Sequence, residues 1–196
     1  MPGRLIVRWQ GRSTTERDAP PPHLLDSWRN TAVTAAILLL GLMSMIWMAG
    51  QLAVHPWVHS AGLVVHFGAL MLGFGSVLAA DFRMMLWVIG RCSLADALHQ
   101  VSRLHFPIWA GLATLIVSGC VLEPDLGSPL TVTKMVLVLA LTLNGLIATA
   151  LGRRLAARQT ADPLPRRLLG VGAVCGGISQ LCWWGAIGIG FWNFTH

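Results

Sequence analysis

Charged residues are scarce in this chain of 196 residues, since aspartate, glutamate, lysine and arginine together make up only 11% of it. Soluble domains usually carry about a quarter charged residues. With 55% hydrophobic residues and a mean hydropathy of +0.64, the chain cannot hide its apolar surface in a water-soluble core. The composition therefore excludes an ordinary soluble domain and predicts an integral membrane protein.

Motifs of the common hydrolases and nucleotide-binding enzymes are also missing. The chain has no Walker loop, no H-E-x-x-H, no G-x-S-x-G and no paired carboxylates. Its four cysteines have neither C-x-x-C nor metal-finger spacing, which argues against a disulfide framework. These absences favour a protein that is not an enzyme.

Five long apolar runs follow a polar segment at residues 1–29. Each run has roughly the 20 residues that a helix needs to cross a bilayer. Unpaired backbone groups are too costly in lipid, so the runs must be helical. The sequence thus predicts an all-α bundle of about five transmembrane helices within residues 30–196. The expected spans are 31–50, 58–80, 104–122, 131–151 and 168–192.

Residues 1–29 have the composition of a flexible tail. The run Ala19-Pro20-Pro21-Pro22 prevents a regular helix there. No cleavable signal peptide is evident, because the first long apolar run begins only near Thr31.

Later in the chain, Ser93 and Asp96 resemble a capping box, which predicts a surface helix at 93–103 leading into the third span. Pro107 is expected to mark a kink between the two.

The basic residues predict the orientation. Thirteen of the fourteen lie in the tail, the second connection and the fourth connection, which alternate spans place on one side of the membrane. They are Arg4, Arg8, Arg12, Arg17, Arg29, Arg83, Arg91, Arg103, Arg153, Arg154, Arg158, Arg166 and Arg167. The positive-inside rule therefore predicts a cytoplasmic N-terminus and an external C-terminus in a bacterial inner membrane. Because these residues separate apolar runs, their partner is the lipid bilayer and not nucleic acid.

His66 lies inside the second span. An ionisable side chain at membrane depth is a candidate functional site, and neutral imidazole can bind haem iron or copper. A single interhelical hydrogen bond is the alternative. No other span has a histidine at the same depth, which argues against a two-haem cytochrome of the four-helix type.

Methionines of the first span provide candidate partners for His66. Met43 is expected at a similar depth, and the two would meet if the first two helices pack together. Met45 and Met48 complete an M-x-M-x-x-M run, and His59 follows in the next connection. Thioether and imidazole together suit Cu(I) or a His/Met haem iron. Ordinary packing of methionine is the alternative.

Other polar residues lie in or beside the spans. Asp81 and Arg83 end the second span, where they are expected to anchor the topology. Lys134, near the start of the fourth span, is expected to reach outward or to neutralise Glu123 or Asp125. Asn144 and Gln180 are expected to bond to other helices.

The last span is rich in glycine and includes Gly172 and Gly176 at small-x-x-x-small spacing. This spacing predicts a close helix contact, because glycines let two backbones approach. The contact can lie within one subunit, with a second copy, or with another membrane protein.

The central part of the chain resembles a family of small, uncharacterised bacterial inner-membrane proteins. The resemblance covers roughly residues 60–150 and rests on Val65-His66-Phe67-Gly68, Gly73-Phe74-Gly75, Asp81-Phe82-Arg83, Trp109-Ala110-Gly111, Ser118-Gly119, Lys134 and Asn144. It implies the fold and a role for His66, Asp81, Arg83 and Lys134, but no reaction. In general arrangement only, the chain is also similar to copper-resistance D-type membrane proteins.

These observations lead to one functional hypothesis and two alternatives. The hypothesis is a redox or metal-handling membrane protein that binds haem b or copper near His66. The first alternative is a structural or assembly subunit without a cofactor, packed through its last helix. The second is a small transporter, for which the polar residues of the spans would form a thin hydrated path.

The predicted topology can be tested with reporter fusions. A reporter fused after His196 should be active outside the cytoplasm, because five spans place the two termini on opposite sides. Cytoplasmic activity at that position would contradict the number of spans or the orientation.

Overall fold

The computed structural model describes residues 28–50, 54–157 and 166–195. These residues form five α-helices and no β-strand, which confirms the all-α prediction. The helices are α1 (Trp28–Ala49), α2 (Pro56–Val88), α3 (Leu94–Val121), α4 (Pro129–Ala157) and α5 (Arg166–Thr195). Four of them, α2 to α5, are long and apolar enough to cross a membrane. That α1 also crosses stays a prediction, and the tail before residue 28 lies outside the described residues.

Helices α2 to α5 are all longer than the expected spans, and α2 and α3 differ most. Helix α2 continues through Asp81 and Arg83 to Val88, beyond the predicted end at residue 80. Helix α3 begins after Ser93, whose Oγ accepts the Asp96 backbone N–H at 3.1 Å, as the capping pattern predicts. The surface segment and the third span form one helix with Pro107 inside it. One missing backbone hydrogen bond costs less than ending a helix at membrane depth.

The most extensive helix contact is between the antiparallel helices α2 and α3. Gly73 and Gly111 are both buried at this contact. A Cβ atom added to Gly111 would lie 2.5 Å from the Gly73 Cα and 2.6 Å from its backbone nitrogen. The two backbones therefore touch, and only glycine at position 111 permits it.

Helices α4 and α5 form a second antiparallel pair. The Asn144 side chain donates a hydrogen bond to the Cys175 carbonyl at 2.8 Å, and Asn193 donates to the Thr131 hydroxyl at 3.2 Å. Asn144 thus bonds to a neighbouring helix, as expected for a polar residue in a span. A Cβ atom added to Gly172 would lie 3.7 Å from the Leu151 Cδ2 and one added to Gly176 would meet nothing within 4 Å, so the predicted close contact at these two glycines stays a prediction.

A hydrophobic cluster joins the two pairs into a four-helix bundle. Its buried members are Phe74, Val77, Leu112, Leu141, Cys182 and Trp183. The Phe74 ring packs against both Trp183 and Trp184, with ring centroids 5.4 and 5.1 Å apart. Helix α1 lies at the side of the bundle and makes smaller contacts with α3 and α4.

The start of α2 and the α3–α4 connection lie at the same end of the bundle. The backbone N–H of Val54 donates to the Glu123 carboxylate at 2.7 Å, which joins the two segments. We call this the upper end. Helices α2 and α4 both begin there and run toward the lower end.

The glycine contact predicts a position-specific effect on stability. Gly111→Ala should destabilise the folded protein by about 1–3 kcal/mol, because overpacking forces two backbones apart. Gly75→Ala is the matched control, since a Cβ atom there meets nothing within 4 Å. Thermal unfolding in detergent would measure both. Equal stability of the two variants would contradict a backbone contact at Gly111.

Candidate functional site

His66 lies in the upper half of α2, one helical turn above Leu70, which packs against the hydrophobic cluster. Its ring is partly buried and faces α3. The Nδ1 atom lies 2.9 Å from the Ser118 hydroxyl oxygen. The ring also lies next to Gly119, where an added Cβ atom would be 3.5 Å from the His66 Cε1, an ordinary van der Waals contact.

Ser118 determines which nitrogen of His66 carries the proton. The Ser118 side chain is buried, and its hydroxyl donates to the Thr114 carbonyl of its own helix at 2.6 Å. A hydroxyl has one hydrogen, so toward His66 its oxygen must accept. The hydrogen-bond network therefore assigns the proton to Nδ1 and leaves the lone pair on Nε2. Among the described residues, none bonds to Nε2.

This arrangement is the one that metal-binding histidines have, because such a residue usually donates its second ring nitrogen to a fixed partner. A bare metal ion would need further protein ligands. In the described part of the chain, no group of three or more histidine, cysteine, aspartate or glutamate side chains could hold one. His66 is therefore a single nitrogen donor held in a fixed orientation.

The predicted methionine partners lie elsewhere. Helix α1 contacts α3 and α4 more than α2, so the expected packing of the first two helices is not found. Met43 and Met48 are more than half exposed on α1, and the side chain of Met45 lies outside the described part. His59 lies seven residues before His66 on α2, about 10 Å higher along the helix.

Lys134 lies in the same layer as His66, on α4. It is partly buried one turn above Leu137 and Val138, which pack against the hydrophobic cluster. The predicted neutralisation of Lys134 by an acid is not found among the described residues. Instead, Glu123 accepts from the Val54 N–H and Asp125 from the Gly127 N–H.

A second polar group lies in the lower half of the bundle. The Gln180 side chain donates to the Asp81 carboxylate at 2.5 Å and accepts from the Trp184 indole at 3.0 Å. Gln180 bonds to another helix as expected, but sequence reasoning did not find Asp81 as its partner. Asp81 therefore links α2 to α5, an interhelical bond that its expected role as a topology anchor did not include. The Arg83 side chain is partly buried near the end of the same helix.

An apolar cleft of about 240 Å³ lies between α2 and α3 in the upper half. Small and β-branched residues line it: Val58, Ala61, Gly62, Val65, Thr114, Val117, Ser118 and Val121. Ser118 belongs both to the wall of the cleft and to the hydrogen bond with His66. The cleft thus gives apolar space beside the histidine.

No family model matches this sequence, and comparisons with curated proteins and with solved structures find no similar chain. The resemblance to the family of small inner-membrane proteins therefore stays a prediction. Arguments about function rest on the geometry of the polar residues in the bundle.

The contact between Asp81 and Gln180 predicts an energetic coupling between α2 and α5. Asp81→Leu and Gln180→Leu should each destabilise the protein, and the double variant should be less destabilised than their sum. The coupling should be about 0.5–2 kcal/mol, the range for hydrogen bonds within membranes. Unfolding of the four proteins in detergent gives this value, and purely additive effects would contradict the bond.

Proposed function

We propose that this protein binds one haem b in the membrane, that His66 would hold the iron, and that the protein takes part in one-electron transfer. One observation carries the proposal. The His66 Nδ1 atom lies 2.9 Å from the Ser118 hydroxyl, which already donates to the Thr114 carbonyl, and no described residue bonds to Nε2. A membrane protein that fixes an imidazole in this way presents a ready iron ligand.

The donor set favours haem over a copper ion. Copper needs several protein ligands, and the described residues contain no group of three or more histidine, cysteine, aspartate or glutamate side chains that could hold a metal ion. Haem carries four ring nitrogens of its own and needs few ligands from the protein. The apolar side chains around Ser118 on α2 and α3 would suit its largely apolar ring. When bound, the iron would supply the change between its ferrous and ferric states.

The proposal also covers the number of spans and the orientation of the protein. We propose that helix α1 crosses the membrane and that the upper end of the bundle faces outward from a bacterial inner membrane. The described arginines toward the lower end support this, because positive charge stays in the cytoplasm. They are Arg83, Arg91, Arg103, Arg153, Arg154 and Arg167. His66 would then lie in the outer half of the bilayer.

A second candidate function is a structural or assembly subunit. It is favoured by the outer face of α5, where Gly170, Gly177 and Gly188 are exposed and a Cβ atom would meet nothing within 4 Å. Glycines on one face of a transmembrane helix allow a second helix to approach closely. A partner protein or a second copy would pack there.

The haem proposal predicts a spectrum that depends on His66. Purified wild-type protein reconstituted with haem should give a reduced-haem absorption band, and His66→Ala should lose it, because the axial nitrogen is gone. Ser118→Ala should weaken haem binding about 10- to 100-fold, the usual cost of removing the partner of a histidine ligand.

His105→Ala is the matched control. His105 also bonds through Nδ1, to the Val101 carbonyl at 3.0 Å, but it lies toward the lower end of α3. Its replacement should leave the band unchanged. A wild-type protein that binds no haem, or an identical spectrum in His66→Ala, would contradict the proposal and favour the assembly subunit.

A further inference from the structure

One flank of the α2–α3 pair carries the apolar cleft near its upper end and one arginine of each helix lower down. Val65 of the cleft wall and Arg83 are 18 residues apart on α2, which is about five full turns, so both lie on the same face of the helix. Val121 of the opposite wall and Arg103 have the same spacing on α3. Both arginines therefore lie on the flank of the pair that contains the cleft.

The two arginines are also at nearly the same height. The backbone contact between Gly73 and Gly111 fixes the register of the antiparallel helices. Arg83 follows Gly73 by 10 residues and Arg103 precedes Gly111 by 8 residues, so both lie about 12–15 Å below the contact. Arg83 is partly buried and Arg103 is exposed. One long basic side chain from each helix thus serves the same layer of the same flank.

Neither arginine side chain has a partner among the described residues. No described residue forms a hydrogen bond or an ion pair with either guanidinium group. The nearest acid on α2, Asp81, bonds to Gln180 of α5. Asp96 lies two turns lower on α3, where it bonds to the Ser93 hydroxyl at the start of the helix. The positive charge of this layer is therefore available to an anion from outside the described chain.

The layer lies at the boundary of the apolar part of the bundle. Arg83 comes just after the expected span 58–80, and Arg103 just before the span 104–122. The polar headgroups of a bilayer begin at this depth, next to the hydrocarbon core. Above the arginines, Leu72 of α2 and Phe106 of α3 are 49% and 81% exposed on the same flank. The flank thus combines positive charge at headgroup depth with open apolar surface above it.

We infer that Arg83 and Arg103 together bind the phosphate of an anionic phospholipid in the leaflet at the lower end. The planar guanidinium fork matches the oxygens of a phosphate, and two forks from neighbouring helices can hold one phosphate between them. Two positive charges exceed the single charge of a phosphodiester, so a headgroup with a net negative charge is favoured over one that also carries an ammonium. The acyl chains would lie on the exposed apolar side chains above. This inference does not depend on the binding of haem.

The experiment measures lipid binding to the full chain in detergent by native mass spectrometry. The probes are phosphatidylglycerol and phosphatidylcholine with identical acyl chains, and inorganic phosphate is the competitor. The variants are Arg83→Gln, Arg103→Gln and the corresponding lysine substitutions, which keep the charge that orients the protein. Arg167→Gln is the matched control, because Arg167 is exposed near the lower end on α5 and has no described partner either.

We expect wild type to bind one phosphatidylglycerol in preference to phosphatidylcholine. Each glutamine substitution on the flank should lower that preference about fivefold, the usual effect of one arginine at an anionic membrane surface. The lysine variants should give intermediate values, since an ammonium cannot form the two parallel bonds of a guanidinium. Arg167→Gln should bind as wild type does.

Three results would overturn the inference. An equal loss of preference in Arg167→Gln would show that only the total charge of the lower end matters. Wild-type protein without a preference for phosphatidylglycerol would show that the two arginines do not select an anionic headgroup. Displacement of the lipid by millimolar inorganic phosphate would identify a site for free phosphate and contradict a lipid site.

Discussion

The backbone contact between α2 and α3 at Gly73 and Gly111 sets the register on which the candidate site depends. His66 lies seven residues before Gly73, and Ser118 lies seven residues after Gly111. Because the two helices are antiparallel, His66 and Ser118 both lie two turns, about 10 Å, above the glycine contact. Each is on the same face of its helix as the glycine. Serine has a short side chain, so it reaches the His66 ring only because the glycines hold the two helices so close. A larger residue at Gly111 would place its Cβ atom 2.5 Å from the Gly73 Cα and force the two helices apart.

Three other polar side chains of the bundle bond from one helix to another, while several serine and threonine hydroxyls bond to carbonyls of their own helix. Asn193 bonds to Thr131 near the upper end, Asn144 to the Cys175 carbonyl in the middle, and Gln180 to Asp81 below. Each pair joins two helices, which is the usual use of polar groups in lipid, where unsatisfied donors are costly. Lys134 departs from this pattern, since no described residue forms a hydrogen bond or an ion pair with it. The candidate site rests on His66 and its hydrogen bond with Ser118.

The helices were predictable from the sequence, because an apolar run long enough to cross a bilayer must be helical there. The positions of the helix ends were harder to predict. Asp81 and Arg83 resemble the end of a helix, but α2 continues past them to Val88. His66 stood out as an ionisable residue in an apolar run, and it is the centre of the candidate site. Its partner Ser118 did not stand out in the sequence, because a lone serine in a span commonly bonds to a carbonyl of its own helix. The expected partner, Met43, depended on which helices are neighbours, and hydrophobic runs carry little information about that. The equal spacing of His66 and Ser118 from two glycines is the one signal in the sequence that points to the pair.

The two antiparallel pairs also bear on the order in which the molecule is assembled during translation. Each pair joins helices that are consecutive in the chain, so its contacts close short loops and form early. Helices α2 and α3 can dock once Val121 has entered the bilayer, and this brings His66 and Ser118 together before α4 is made. Lys134 arrives only with the second pair, when Trp183 packs against Phe74. The His66–Ser118 contact is thus complete before the second pair docks, and the packing of Phe74 against Trp183 closes the bundle last.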